Sequence, residues 1–168
     1  FFPFMVACHL GFVDLVRLFV ERHQEYGTSI GLTKQDLRGL TSMMLACLQN
    51  HVEIVRMIPA MSSESGCKDN EGRTTLMIAC QHSDPEIVRI LVEKEFSVTP
   101  LQIENIPLFI ACERGSLEIV KILIERHRET GRIHKFVKKA IDIALKHEHH
   151  QIVEFLTSLD LRSSLSSP

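Results

Sequence analysis

From Thr74 to Glu93 the chain reads TTLMIACQHSDPEIVRILVE, two short apolar faces with a polar break between them. Leu76, Ile78, Ala79 and Cys80 line one side of a helix predicted over Thr75 to His82. Ser83-Asp84-Pro85-Glu86 ends it and starts another, with Asp84 suited to capping open N–H groups and Pro85 to the first helical position. Ile87, Val88, Leu91 and Val92 then follow at the spacing of one buried helical face. Neither helix is long enough to be stable alone, so the pair must stack on something.

The same pattern returns along the chain. Ala7, Ala46, Ala79, Ala111 and Ala144 stand in equivalent settings, separated by 39, 33, 32 and 33 residues. An apolar pair follows each alanine in the same register: Leu15-Val16, Ile54-Val55, Ile87-Val88, Ile119-Val120 and Ile152-Val153. Just ahead of each pair lies an acid or amide: Asp14, Glu53, Glu86, Glu118 or Gln151. Directly after the alanines come Cys8, Cys47, Cys80 and Cys112, then Leu145. A period near 33 residues with one helix pair per unit is the mark of a solenoid.

Two turns sharpen this into a family resemblance. Asp36-Leu37-Arg38-Gly39-Leu40-Thr41 and Asp69-Asn70-Glu71-Gly72-Arg73-Thr74 match the Asp-x-x-Gly-x-Thr turn of ankyrin repeats. Pro3 and Pro107 match the proline that opens their inner helix, and Gly11 and Gly115 the glycine between helices. The chain therefore resembles the ankyrin-repeat family over roughly Phe2 to Leu159. The resemblance implies an all-α solenoid of stacked helix–turn–helix units with short finger loops, in a single domain over residues 1–161. Its repeats fall near 1–40, 41–73, 74–105, 106–138 and 139–161, the first and last atypical, with a flexible Ser-rich tail at 162–168.

Departures from the family pattern matter. The histidine that opens its inner helix is replaced by Met5, Met44, Met77, Phe109 and Asp142, which implies more apolar packing and less polar networking. Pro59 should stop the second outer helix early, leaving Ser62 to Gly66 as loop. Phe96-Ser97-Val98 suits a strand-like finger, and Thr99-Pro100 reads as loop rather than as a phosphoacceptor site. The first and fourth outer helices end in the related stretches ERHQEYG and ERHRETG, polar extensions closing on Gly27 and Gly131. The opening at Phe1-Phe2-Pro3, inside a helix and with no initiator methionine, is expected of a fragment of a longer protein.

Composition narrows the function. With 45% hydrophobic and 24% charged residues the chain is neither disordered nor membrane-embedded, and no apolar run nears the ~20 residues of a membrane span. Four cysteines recur once per repeat, and stacked helices sit ~8–10 Å apart, too far for disulfides between them. They read as small buried residues of a cytoplasmic protein (the nucleus being the other compartment), and Cys67 as a thiol in a loop. His147-Glu148-His149-His150 is the nearest thing to a metal cluster, but His149 occupies the register of the family's Gly-His turn. There is no Gly-rich phosphate loop, nucleophile elbow or HExxH pair, so neither an enzyme nor a cofactor is expected.

Charge is uneven. Residues 1–125 hold 11 Lys/Arg against 16 Asp/Glu, and residues 126–168 hold 8 against 5. Arg132, His134, Lys135, Lys138 and Lys139 make a basic turn that suits an acidic segment. Basic residues are too few, and lack interleaved aromatics, for nucleic acid.

The resemblance implies a monomeric scaffold or adaptor module that binds a partner protein or peptide on its concave face. The alternative is a regulatory ankyrin domain of a larger protein such as an ion channel, kinase or other enzyme. By the same resemblance, contacts come from the turn tips and from the residues after each Ala-Cys pair. The tips are Leu37, Arg38 and Leu40, then Asn70, Glu71 and Arg73, then Gln102, Ile103 and Asn105, and last Lys135, Phe136 and Lys138. Along the groove lie Leu48, Gln49, Gln81, His82, Glu113, Arg114, Lys146 and His147, with apolar anchors at Leu40, Ile103 and Phe136.

Overall fold

The computed structural model describes residues 2–27, 29–58, 67–82, 84–96, 106–129 and 134–164, which divide into two compact units, 1–102 and 103–168. The loops expected at 62–66 and 97–105, Gly131 and the end of the tail lie outside the described residues.

In the first unit, three helix pairs follow one another. They are α1 (Pro3–Leu10) with α2 (Val13–Tyr26), α3 (Ser42–Leu48) with α4 (Val52–Met57), and α5 (Thr75–His82) with α6 (Pro85–Phe96). The inner helices stack α1 on α3 on α5, and the outer ones α2 on α4 on α6. Ala7, Cys8, Ala46, Cys47, Ala79 and Cys80 are all at most 2% exposed, so small side chains let the inner helices come close. Ile54, Val55, Ile87 and Val88 are fully buried from the outer side, each contributing roughly 1.5–3 kcal/mol. Caps follow the sequence: Thr41 Oγ1 accepts the Met44 N–H at 3.3 Å, Thr74 Oγ1 that of Met77 at 3.3 Å, and Asp84 Oδ1 that of Glu86 at 2.9 Å. Phe96 belongs to α6, not to a strand-like finger, because the apolar helical face of Ile87 to Val92 carries the helix on to it.

The second outer helix is the short one. Ile58, next to Pro59, leaves the helical region for φ −61° and ψ 125°, the conformation a following proline favours. Lys94 of α6 then reaches back, donating its Nζ to the Arg56 carbonyl at 3.0 Å and also to that of Ile58. A cation at a helix C-terminus satisfies open carbonyls and opposes the dipole. Lys94→Met keeps the apolar stem and removes the donor. Urea unfolding should show a loss of about 1 kcal/mol, with faster amide exchange in α4.

In the second unit, α7 (Ile106–Arg114) pairs with α8 (Leu117–Glu129), and α9 (His134–Lys146) with α10 (His150–Ser164). Helix α9 packs on α7 and α10, and α10 also touches α8. Leu108, Leu123, Ile124, Ala140, Ala144, Ile152 and Leu156 form the core, all at most 2% exposed. The last inner helix therefore begins at His134, well ahead of Lys139. Val137, Ala140 and Ala144 are buried at i, i+3 and i+7, and no glycine, proline or aspartate between 134 and 141 interrupts that face.

Candidate functional site

Two finger turns in the first unit are built alike. In Asp36 to Leu40, Asp36 Oδ1 accepts the N–H groups of Arg38 and Leu40, each at 2.8 Å, and the Gly39 N–H bonds the Asp36 carbonyl at 2.9 Å. In Asp69 to Arg73, Asp69 Oδ1 accepts Glu71 N–H at 3.0 Å and Arg73 N–H at 2.8 Å, while Oδ2 takes the Arg73 guanidinium at 2.7–2.8 Å. Burial pushes both carboxyls upward. The backbone donors and the guanidiniums of Arg38 and Arg73 outweigh it, holding both below the ordinary aspartate value. Each turn thus carries a fixed negative charge inside it and shows its tip outward.

The fingers are also tied to each other. Asn70 donates its backbone N–H to the Arg38 carbonyl at 3.0 Å and its Nδ2 to the Leu37 carbonyl at 2.9 Å. Gln35 Nε2 bridges the Gly39 carbonyl at 2.6 Å and the Lys68 carbonyl at 2.8 Å. Leu37, at the tip of this doubled finger, is 96% exposed, and the Arg38 side chain beside it is 66% exposed. A single exposed leucine is common on protein surfaces; this one is set apart by the hydrogen bonds that hold its own carbonyl and the next.

The other expected contact residues divide. Gln49, Asn70, Glu71, His82, Glu113, Arg114, Lys138, Lys146 and His147 are exposed, and Gln81 and Phe136 are partly so. Leu40 is not available, being 3% exposed in the core. Arg73 is not either, since its guanidinium is held by Asp69 and by Glu71 at 3.2 Å. Lys135, Phe136 and Lys138 sit on α9 rather than on a turn, and the Phe136 ring lies 6.3 Å from that of His127. Gln102, Ile103, Asn105 and the Lys135 side chain lie outside the described residues. The motif spacing could not separate Leu37 from Leu40; their burial does.

Histidines mark two of the seams between helix pairs. His51 Nε2 meets the His9 carbonyl at 3.3 Å, and His149 Nε2 that of Glu113 at 3.0 Å. An added Cβ at Gly11 would meet the His51 ring at 2.7 Å, and one at Gly115 the His149 ring at 2.5 Å. The glycine gives the next pair's ring its seat. His149 thus has a packing role, and its stacked neighbour His147 lies 6.3 Å away. On the outer helices, Arg17 pairs with Glu53 at 3.2 Å and Arg56 with Glu86 at 2.8 Å. Cys8, Cys47, Cys80 and Cys112 are buried, and burial pushes the Cys112 thiol up to about 12, far from a nucleophile's range.

No group of three or more metal-ligating side chains is found among the described residues. Nor, among them, is any helix long and apolar enough to cross a membrane. A family model described as ankyrin repeats in three copies matches residues 4–102 and again 56–128. No curated protein matches the chain.

Proposed function

The chain belongs to the ankyrin-repeat family, whose members are in general protein–protein interaction modules, and from that premise we propose that it binds a partner peptide or protein through its finger tips and inner-helix groove. It works by binding and not by catalysis. In the first unit the contact strip is Leu37, Arg38, Asn70 and Glu71, continued by Gln49, Gln81 and His82. One observation carries the reading: Leu37 stands in water on a finger locked to its neighbour by hydrogen bonds. The backbone that carries this side chain is ordered before a partner arrives, so binding has only the leucine's own rotamers left to fix.

In the second unit, Arg114, Lys138, Lys139, Lys146 and His147 are exposed. The proposed partner of this strip is an acidic segment, with Glu113 and Asp142 limiting how acidic. Lys139 also lies over the Phe109 ring, 4.8 Å from its centroid, which fixes one cation in place.

Peptide display against the intact chain tests both strips. Peptides selected on it should bind Leu37→Asp at least about tenfold more weakly, with the circular dichroism and melting of the chain unchanged. Acidic peptides among them should be lost on Lys138→Glu with Lys146→Glu. Selected peptides that bind all three forms equally would overturn the assignment.

A further inference from the structure

Away from the finger tips, one groove in the first unit has a chemistry of its own. On α2, Leu15, Leu18, Arg22 and Tyr26 follow at steps of three and four residues, so they form one stripe of the helix. All four are exposed, Leu18 at 49% and Tyr26 at 66%. Beside the stripe, the buried Phe4 of α1 meets Phe19 edge to face, with ring centroids 5.8 Å apart. These side chains line a groove of about 590 Å³. Such a volume takes a small organic molecule.

A second wall belongs to no helix pair. It comes from the connector that makes the first repeat step 39 residues instead of 32 or 33, through Ser29, Ile30, Gly31 and Lys34. Leu32, 5% exposed, anchors that connector in the core, and the Lys34 N–H closes a turn on the Gly31 carbonyl at 3.0 Å. A Cβ at Gly31 would lie 3.2 Å from Lys34 Cγ and 3.8 Å from the Phe2 ring, so the bare glycine lets the lysine stem lie across it. Lys34 Nζ ends 5.9 Å from the Phe2 ring centroid, and the Arg22 guanidinium carbon 5.4 Å from that of Tyr26. Two cations are thus set on aromatic rings in an apolar groove, and no acid among the described residues lines it.

We propose that this groove binds a free single-chain carboxylate, an anionic head on an apolar tail. Arg22 and Lys34 hold the head by charge-assisted hydrogen bonds, and Leu15, Leu18, Phe4 and Phe19 take the tail. The two cations set the sign of the ligand. A cationic amphiphile of the same length buries the same apolar area but meets Arg22 and Lys34 as like charges. The groove is built from α1, α2 and the connector, without Leu37 or the finger tips, so it stands or falls apart from the partner reading above.

Tyr26 is the chain's one tyrosine and there is no tryptophan, so tyrosine emission reports from the groove itself. Decanoate, titrated below its micellar concentration, should change that emission saturably. Decyltrimethylammonium should bind at least about tenfold more weakly. Arg22→Glu with Lys34→Glu should weaken decanoate at least about tenfold, and Leu18→Asp should weaken both probes. All three side chains are exposed, so the circular dichroism of these variants should match the parent's. The comparison of the two probes on the parent chain needs no variant, and it decides the matter even if a variant fails to fold. The proposal is overturned by no saturable response to decanoate, by equal binding of the two probes, or by decanoate binding that survives the double charge reversal. So it is by a dimer in sedimentation that Leu18→Asp dissolves, since that would give the groove to a second copy.

Discussion

Gly39→Ala lowers the unfolding free energy of the first unit by about 3 kcal/mol or more, whereas Gly72→Ala, at the same place in the next finger, lowers it by about 1 kcal/mol. Both glycines have left-handed backbones, φ +78° and +77°, so both substitutions incur the same conformational strain. The surroundings differ. A Cβ on Gly39 would lie 2.6 Å from Asn70 Oδ1, 2.7 Å from Asn70 N and 2.9 Å from Asp69 Cα. A Cβ on Gly72 would meet nothing within 4 Å. The excess at Gly39 therefore measures how tightly one finger rests on the next, and relieving it would break the Asn70 bonds to Leu37 and Arg38. Urea unfolding of the two variants reads the difference. Equal losses would mean that the fingers are not held together, and Leu37 would lose its rigid support.

The repeat architecture was legible because it is written in identities as well as in hydrophobicity. The recurring alanine and cysteine must be small where inner helices meet, and the aspartate of each finger accepts backbone N–H groups that a short Asp or Asn side chain reaches. Those constraints leave marks that a reader of one sequence can count. The contact surface left fewer marks. Leu37 and Leu40 are three residues apart in one turn, equally apolar, and only the path of the backbone puts one in water and the other in the core. Arg73 stands in the Leu40 place of its finger and Arg38 in the Glu71 place, so the first is 26% exposed, held against Asp69, and the second 66%. The start of the last repeat is hidden in the sequence for another reason. Lys135, Lys138 and Lys139 look like a loop by charge, whereas the apolar period running under them makes a helix. His127 is hidden in the same way, a buried ring in a stretch that reads as polar.

His127 should make the second unit sensitive to mild acid. It is 4% exposed near the end of α8, against the Phe136 ring of α9, and burial alone pushes its basicity below the ordinary histidine value. In the folded unit the ring is therefore neutral at pH values where an unfolded histidine, titrating near ~6.5, already takes a proton. Above that range neither state is charged and His127 gives no pH dependence. As the pH falls below it, the unfolded chain gains the proton and the folded unit resists. Stability is then lost by up to about 1.4 kcal/mol per pH unit until the folded ring also titrates. The expected result is a steady fall in the stability of α8 and α9 between pH 7 and about pH 5, read by amide exchange or urea unfolding. His127→Phe should flatten that fall whatever it does to stability at neutral pH, since only the slope reports the proton. If the His127→Phe chain loses stability with acid as steeply as the parent, the ring is not held neutral by burial. The packing of Phe136 over it, and with it the early start of α9, would then have to be redrawn.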